Sequence, residues 1–313
     1  MAALNSPLHP KALRYLAAVA QLGSVQAAAR EVSISASAID RQILMLEEDL
    51  GVPLFERLPR GMRLTAAGEL LLALSQRLKT DLRRTLSDVK QLQGVSQGQL
   101  RLAAMDSHVN GFLPGFIHRV AREHPGIVLE VDIVSTDEAV RCLTDGAVDL
   151  AIAFNLKPQR ELHLVWTADL PLGCVAACGH ALAACRQVTF KDVAAWPLAV
   201  QSHALAIRRY LERRHSWLLQ EARPPLVTNS LQLVKCLVKS GSHVALTSEL
   251  DAGPEILDGS VRFIALSDKN AQPQTIGVAI SASRSIPRIG RIVADLLAEH
   301  VATYLAQVRQ AGG

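Results

Sequence analysis

Gly23 and Gly51 bracket the stretch SVQAAAREVSISASAIDRQILMLEEDL, and this stretch leaves few ways to fold. Ser24 and Ser35 each stand just before apolar residues at helical spacing, where a hydroxyl satisfies a free helix N–H. A helix from Val25 places Ala28, Ala29 and Val32 inward. The tight turn Val32-Ser33-Ile34 follows. Ser35 then caps a second helix whose buried side is Ile39, Ile43, Leu46 and Leu50, and Gly51 ends it. An earlier helix carries Leu13, Leu16, Ala17 and Ala20 and breaks at Gly23. Two short helices joined this tightly form a helix-turn-helix.

The next segment, VPLFERLPRGMRLT, has Pro59 and Gly61 at the centre of a turn surrounded by Arg57, Arg60 and Arg63. By itself this is a solvated basic turn. Directly after a helix-turn-helix it reads as a small basic wing. Thr65 then caps a long helix to about Leu92. Its apolar stripe is Leu71, Leu74, Leu78, Leu82, Leu86 and Val89, in steps of three and four. At ~1.5 Å per residue such a helix is roughly 40 Å long. A long helix with one narrow stripe calls for a partner helix, so dimerisation through it is expected, with packing on its own body as the alternative. GVSQG, residues 94–98, reads as a hinge.

From Gln99 the pattern changes to strands alternating with helices. Strands are expected at Leu100–Met105, Ile127–Val134, Asp149–Phe154, Gly173–Ala177, Leu198–Gln201, Leu226–Thr228 and Val244–Thr247, with helices between. Ser135-Thr136-Asp137-Glu138 fits a capping box. This is α/β architecture with mostly parallel sheets. Its length favours two lobes, with Thr275–Ile280 returning the chain to the first. The expected organisation is a DNA-binding unit 1–64, a linker helix 65–93, a hinge 94–98 and a two-lobed domain 99–313. Lobe I takes about 99–164 and 271–313, and lobe II about 165–270.

Residues 1–92 hold 12 Lys/Arg against 9 Asp/Glu, whereas the remainder holds 21 against 20. The small positive excess therefore sits with the helix-turn-helix, which permits nucleic-acid binding. Lys11 and Arg14 interrupt the early apolar residues, and no uncharged apolar run reaches the ~18 residues of a membrane helix. A cytoplasmic location is expected, with no membrane partner and with the five cysteines as thiols. Cys174 and Cys178 are spaced to share one face of a strand. They read as small core residues, a redox or metal role being the lesser alternative.

GSVQAAAREVSISASAIDRQILMLEEDLGVPLFERLPRGMRLTAAG resembles the winged helix-turn-helix of LysR-type transcriptional regulators. The matching residues include Gly23-Ser24, Ala28-Ala29, Ser35, Arg41-Gln42-Ile43, Leu46-Glu47, Leu50-Gly51, Leu54-Phe55, Arg57, Leu64-Thr65 and Gly68. LPGFIHRVAREHPGIVLEV, GAVDLAIAF, GHALA and TNSLQLVKCLVKSGSHVALTS extend the resemblance, more loosely, along the rest of the chain. The resemblance implies a two-lobed effector domain of the periplasmic-binding-protein-like fold and a tetramer built as a dimer of dimers. It also implies binding to double-stranded promoter DNA, with RNA polymerase as a further partner.

This chain departs from the family in three places. Ala36-Ser37 stands where Gln-Pro usually opens the recognition helix, Asp40 where serine usually precedes Arg-Gln-Ile, and Ser248 where proline is common in the second lobe. Ala36 has only a methyl to offer a thymine, and Ser37 discriminates bases weakly. Three readings of Asp40 stand: it accepts from a cytosine N4 amino group, it pairs with a neighbour or the helix dipole, or specific DNA binding has weakened. Arg41, Arg57, Arg60 and Arg63 are the expected backbone and wing contacts. Ser24, Ser35, Ala36, Ser37, Asp40 and Gln42 are expected near base edges or flanking phosphates.

The effector is expected between the lobes, where strand carboxyl ends face helix N-termini. Ser107, His108, Asn110, Ser135 and Thr136 stand at such ends in lobe I. Ser202, His203, Asn229, Ser230 and Thr247 do so in lobe II. Free N–H groups there suit a carboxylate or other small anion, which Asp106 opposes; several of these residues also serve as plain helix caps. No cofactor is implied, and His108 and His203 lack the cysteine or carboxylate companions of a metal site. G-x-x-x-x-G-K-[ST], H-E-x-x-H and G-x-G-x-x-G are absent, and the single G-x-S-x-G, Gly94 to Gly98, falls in the expected hinge between a helix and a strand rather than on a strand-to-helix turn, so an enzyme is the weaker class. A small-molecule binding protein with weakened specific DNA binding is the alternative reading.

Overall fold

The computed structural model describes residues 9–58, 61–92, 98–202, 206–221, 226–282, 286 and 288–312. The chain divides between residues 95 and 96 into two compact units.

The first unit runs α1 (Lys11–Leu22), α2 (Val25–Val32), α3 (Ala36–Leu50), β1 (Phe55–Leu58), β2 (Gly61–Leu64) and α4 (Ala66–Leu92). Gly23 and Gly51 end α1 and α3 in the left-handed conformation, at φ 65° and 67°. Ser24 and Ser35 cap α2 and α3 by accepting the N–H of Ala27 and Ala38. Leu16, Val19, Ala28, Ile39, Ile43 and Leu54 are buried together at the centre of the unit. Two expected core positions differ. Leu46 is only half-buried, and Leu50 is 49% exposed, because the last turn of α3 overhangs the core it packs on.

β1 and β2 form an antiparallel hairpin in the register Phe55↔Leu64 to Leu58↔Gly61. Glu47 on α3 fixes where the hairpin begins: its Oε1 accepts the N–H groups of Leu54 at 2.7 Å and Phe55 at 3.2 Å. Thr65 opens α4, accepting the N–H of Gly68 and donating to the Pro53 carbonyl. Gly68 crosses so close to the Leu54 carbonyl that a Cβ there would overlap it. The stripe on α4 divides. Leu71 packs into the core of its own unit, and nearby Ser75 donates to the Leu13 carbonyl. Leu74, Leu86 and Val89 are exposed, and Leu78 and Leu82 half-buried.

The second unit starts with β3 (Gly98–Ala104), α5 (Asp106–Val109), α6 (Phe112–Glu123), β4 (Ile127–Ile133), α7 (Thr136–Asp145), β5 (Leu150–Phe154) and β6 (Leu162–Leu170). It crosses into β7 (Leu172–Ala177), β8 (Gln187–Val188), α8 (Phe190–Ala194), β9 (Leu198–Gln201), α9 (Ala206–Arg214), α10 (Ser216–Glu221) and β10 (Leu226–Thr228). After α11 (Leu231–Lys239), β11 (Val244–Ser248), α12 (Gly253–Leu257) and β12 (Val261–Leu266), it returns through β13 (Gln274–Ser281) to α13 (Arg288–Gly312). The strand orders are β4-β3-β5-β13-β6 in lobe I and β10-β9-β11-β7-β12-β8 in lobe II.

These sheets are mixed rather than mostly parallel. β13 is antiparallel to β5 and β6, and β7 to β11 and β12. The reason is the double crossing. β7 and β13 enter their lobes from the cleft and run away from it, against the strands whose carboxyl ends form it. The expected lobe boundary at 164/165 falls inside β6, which belongs wholly to the first sheet; the crossing is at Pro171. A third tie joins the lobes. α13 contributes Leu297, Val301 and Leu305 to the lobe I core, while its Val308 is buried with Val234 and Ile256 of lobe II. Arg309 Nε reaches Glu249 Oε1 at 2.7 Å.

Candidate nucleic-acid interface and inter-lobe cleft

The outer face of α3 presents Ser35, Ser37 and Arg41, all exposed. The two serines are linked before any ligand arrives: Ser37 Oγ donates to Ser35 Oγ at 3.2 Å while Ser35 caps the helix. Ala36 and Gln42 are half-buried, and Gln42 Nε2 lies 3.7 Å from the Met45 sulfur. Ser24 caps α2 and donates to Gln26.

Asp40 does not stand alone on this face. Its Oδ1 accepts a hydrogen bond from Arg57 Nη2 on β1 at 2.9 Å. Arg63 on β2 is opposite Glu56 in the hairpin register and pairs with it at 2.7 Å. Two of the three wing arginines are therefore held by carboxylates in the free chain; Arg60 lies outside the described residues. Both pairs are exposed, so each contributes little to stability but biases where the guanidinium points.

In the second unit a cleft of about 310 Å³ opens between the lobes. It lies where strand order reverses. β3 is flanked by β4 and β5, and β9 by β10 and β11, so connections leave in opposite directions and a gap remains at the carboxyl ends. Met105 and Phe154 follow one such gap and Gln201 the other.

Of the residues expected to meet an effector, Ser107, Ser135 and Asn229 line this cleft. His108 lies beneath it. Its ring packs on Phe112 and Phe154, Nδ1 accepts the Met105 N–H, and Nε2 has no partner. Burial pushes its pKa down to about 3. Thr136 donates to the Phe154 carbonyl, Ser230 caps α11, and Asn110 is exposed at the end of α5. The Ser202 N–H donates to the Thr228 carbonyl. Thr247 is buried against Asp251. His203 and all but the last residue of the expected hinge 94–98 lie outside the described residues.

Sequence reasoning missed several lining groups. Glu138, Gln201, Gln274 and Asp251 all reach the cleft. Asp251 is 7% exposed; its Oδ2 accepts from Thr247 Oγ1 at 2.6 Å and Ser248 Oγ at 3.2 Å, while Oδ1 has no partner. Burial raises its pKa against the pull of these hydroxyls, of Lys235 and of the Ser107 hydroxyl in the cleft. Ser248 is thus more than a departure from the expected proline: its hydroxyl holds the carboxylate and accepts the Asp251 N–H, which proline has no means to do. The signal available was the run Thr247-Ser248 followed by Asp251, two hydroxyls at the end of a buried strand within reach of one acid.

Cys174 is buried in β7, with its thiol pushed up to about 12 by burial; Cys178 is exposed past the strand end and donates to the Gly259 carbonyl. Among the described residues no three metal-ligating side chains gather, and no helix is long and apolar enough to cross a membrane.

Comparison with known proteins matches residues 10–69 to the bacterial regulatory helix-turn-helix protein model of the lysR family, and residues 93–302 to the LysR substrate binding domain. A probable nitrogen assimilation transcriptional activator of Synechococcus elongatus is 32% identical over 232 residues, 73% of this chain and 74% of that protein. A full-length OxyR variant from Pseudomonas aeruginosa shares the fold with a TM-score of 0.66 at 20% identity, over 91% of this chain and 93% of that one. Full-length CbnR, solved in complex with its target DNA, does so with a TM-score of 0.62 at 19% identity, over 96% and 99%.

Proposed function

Because the chain belongs to the LysR family of transcriptional regulators, DNA-binding proteins with an effector-binding domain, we propose that α3 and the β1–β2 wing bind double-stranded promoter DNA under the control of a small molecule in the inter-lobe cleft. The observation that carries this reading is the joining of α3 to the wing through Asp40 and Arg57, with Ser37 and Arg41 exposed beside them. Glu47, which accepts the N–H groups of Leu54 and Phe55, fixes the wing to α3, so that one surface meets both a major groove and the flanking backbone. Phosphate contacts supply most of the affinity; Arg41 and Arg60 make them directly, while Arg57 and Arg63 are held back by Asp40 and Glu56. Ser24, Ser35, Ala36, Ser37 and Gln42 lie at base edges or flanking phosphates and supply choice of site. CbnR, which has the same fold, was solved in complex with its target DNA, and this supports the DNA-binding reading.

On this reading α4 joins two chains through Leu74, Leu78, Leu82, Leu86 and Val89, and dimers pair into a tetramer in the cytoplasm. Two helix-turn-helix units then sit on half-sites about one helical turn apart, the promoter-bound form meeting RNA polymerase. Ser107, Ser135 and Asn229 are the effector contacts retained from the sequence, joined by Gln201 and Asp251. Selection of fragmented genomic DNA on the purified protein, followed by a salt titration on the best fragment, tests the reading. A dyad-symmetric enriched site is the expected result. Weak, steeply salt-dependent binding to all fragments alike rejects sequence-specific regulation.

A further inference from the structure

The cleft carries information about its ligand that its family does not. Three carboxylates line it, Asp106, Glu138 and Asp251, with the amides Gln201, Asn229 and Gln274; no lysine, arginine or histidine lines it among the described residues. Two arginines of α9 have carboxylate partners of their own, though Arg208 Nη1 is left without one, and Arg213 and Arg214 are exposed. Arg208 pairs with Glu212 at 2.7 Å and Arg209 with Asp137 at 3.6 Å. Lys235, the cation that acts on Asp251 from α11, is itself within 3.0 Å of Glu255.

The helix N-termini at the cleft do not offset this. Ser135 caps α7 by accepting the Glu138 N–H, and Glu138 sets its own carboxylate in the first turn. Ser230 caps α11. The dipole and free N–H groups that would draw an anion are thus partly spent on the protein's own side chains. Asp251 is the opposite case. It is a buried acid whose Oδ2 accepts two hydrogen bonds and whose Oδ1 has no partner within hydrogen-bond distance, although the Ser107 hydroxyl is near enough to act on the carboxyl group; amides and apolar side chains make up the wall around it. A buried carboxylate oxygen without a donor is costly, and a ligand that brings an N–H and a positive charge removes that cost.

We propose that the effector is a small organic cation, carrying an ammonium or guanidinium group on an apolar body, and not a carboxylate. Its charged group sits against Asp251 Oδ1 with Glu138 as a second, more exposed acid. Its apolar body lies on Ile133, Val134, Phe154, Ile207 and Leu231. This deepens the effector reading above and rests on it.

The test is a thermal-shift and calorimetric panel on the full-length chain, with agmatine, phenethylamine and cadaverine set against benzoate, phenylacetate and glutarate. At least one amine is expected to bind and raise the melting temperature. Asp251→Asn keeps the shape and the acceptor for Thr247 but removes the charge; it should weaken that amine roughly ten- to hundredfold. Glu138→Gln, on a half-exposed position, should weaken it several-fold. Far-UV circular dichroism and the melting temperature without ligand check that both variants fold. Binding of carboxylates in place of amines, no amine binding across the panel, or amine affinity unmoved by both variants would overturn the proposal. Genomic selection of DNA is read separately: an enriched operator with no amine response removes this inference alone, whereas amine binding without an operator removes the regulatory reading and leaves the ligand class standing.

Discussion

Asp40 of the recognition helix holds Arg57 of the wing, with Nη2 2.9 Å from Oδ1. A carboxylate next to DNA would ordinarily repel phosphates, but here its charge is matched by a guanidinium from a second element. The acid sets the angle of the wing arginine and subtracts one cation from those free to meet the backbone. Asp40→Ser should therefore release Arg57 to a phosphate. Binding to unrelated duplexes should tighten, and the slope of log affinity against log salt should steepen by about 0.9, the increment for one more phosphate neutralised. Fluorescence anisotropy across a salt series measures it. An unchanged slope with a new base preference at one position per half-site would show that Asp40 reads a cytosine instead.

His108 should make the effector domain acid-labile. Its folded pKa, about 3, lies below the unfolded value near 6.5, because burial disfavours the imidazolium. The stability this contributes is fully present above pH 6.5 and is lost progressively as pH falls toward 3, since only the unfolded chain takes up the proton readily. At pH 5 the loss from this group is about 2 kcal/mol. Urea unfolding at pH 7 and pH 5 should show this difference in the wild-type chain and a smaller one in His108→Gln. An equal pH dependence in both would assign the acid lability elsewhere. Between pH 6.5 and 8 the ring should stay neutral by NMR.

Gly68 is required by the Leu54 carbonyl and not by its own backbone angles. Gly68→Ala adds a methyl where that carbonyl and the Leu64 side chain already stand, so α4 must shift or the start of the hairpin must open. A cost of about 1–3 kcal/mol is expected, as for overpacking in a closed core. Because β1 starts at the strained junction, DNA affinity should fall along with the stability of the first unit. Chemical denaturation and anisotropy on the same samples check both. A stable variant with lost DNA binding would mean that the helix had moved rather than the core loosened.

Leu71 and Leu86 sit on one apparent stripe of α4 yet should behave oppositely. Leu71 packs on the core of its own unit, so Leu71→Ala should destabilise that unit by about 2–3 kcal/mol without changing the number of chains in the particle. Leu86 is exposed, so Leu86→Glu should leave the fold intact and shift the protein toward monomer. Light scattering coupled to size exclusion separates the outcomes. An unchanged mass for Leu86→Glu would place the dimer contact on another surface.

The first unit was legible because its signals are local. Ser24, Ser35 and Thr65 announce helix starts within three residues, and Gly23 and Gly51 announce the ends. The misreading of Leu50 came from extending a periodic pattern past the core that gives the pattern its meaning. The sheets of the second unit were less legible because β6 pairs with β13 across about a hundred residues, and no turn signal links such distant strands. In the cleft, Ser107, Ser135 and Asn229 follow from the rule that ligands gather at carboxyl ends of strands. Asp251 escaped it, since its position depends on how Thr247, Ser248 and Lys235 surround it in space. The acid on α3 raised the right question, but its answer was seventeen residues away on the wing.

The lobes are crossed by two strand connections, and a pair of lobes joined only so would swing like a book. The C-terminal helix prevents that. With Leu305 in one core, Val308 in the other and Arg309 gripping Glu249, opening the cleft widely would tear a hydrophobic residue from its packing and strand two charges. The covers are glued to the spine. A ligand therefore meets a cavity whose walls are set before it arrives, and its binding energy is not consumed in gathering them. Recognition in such a molecule is selective for shape at the moment of entry, and the displacement it leaves behind is a matter of small slips along one helix.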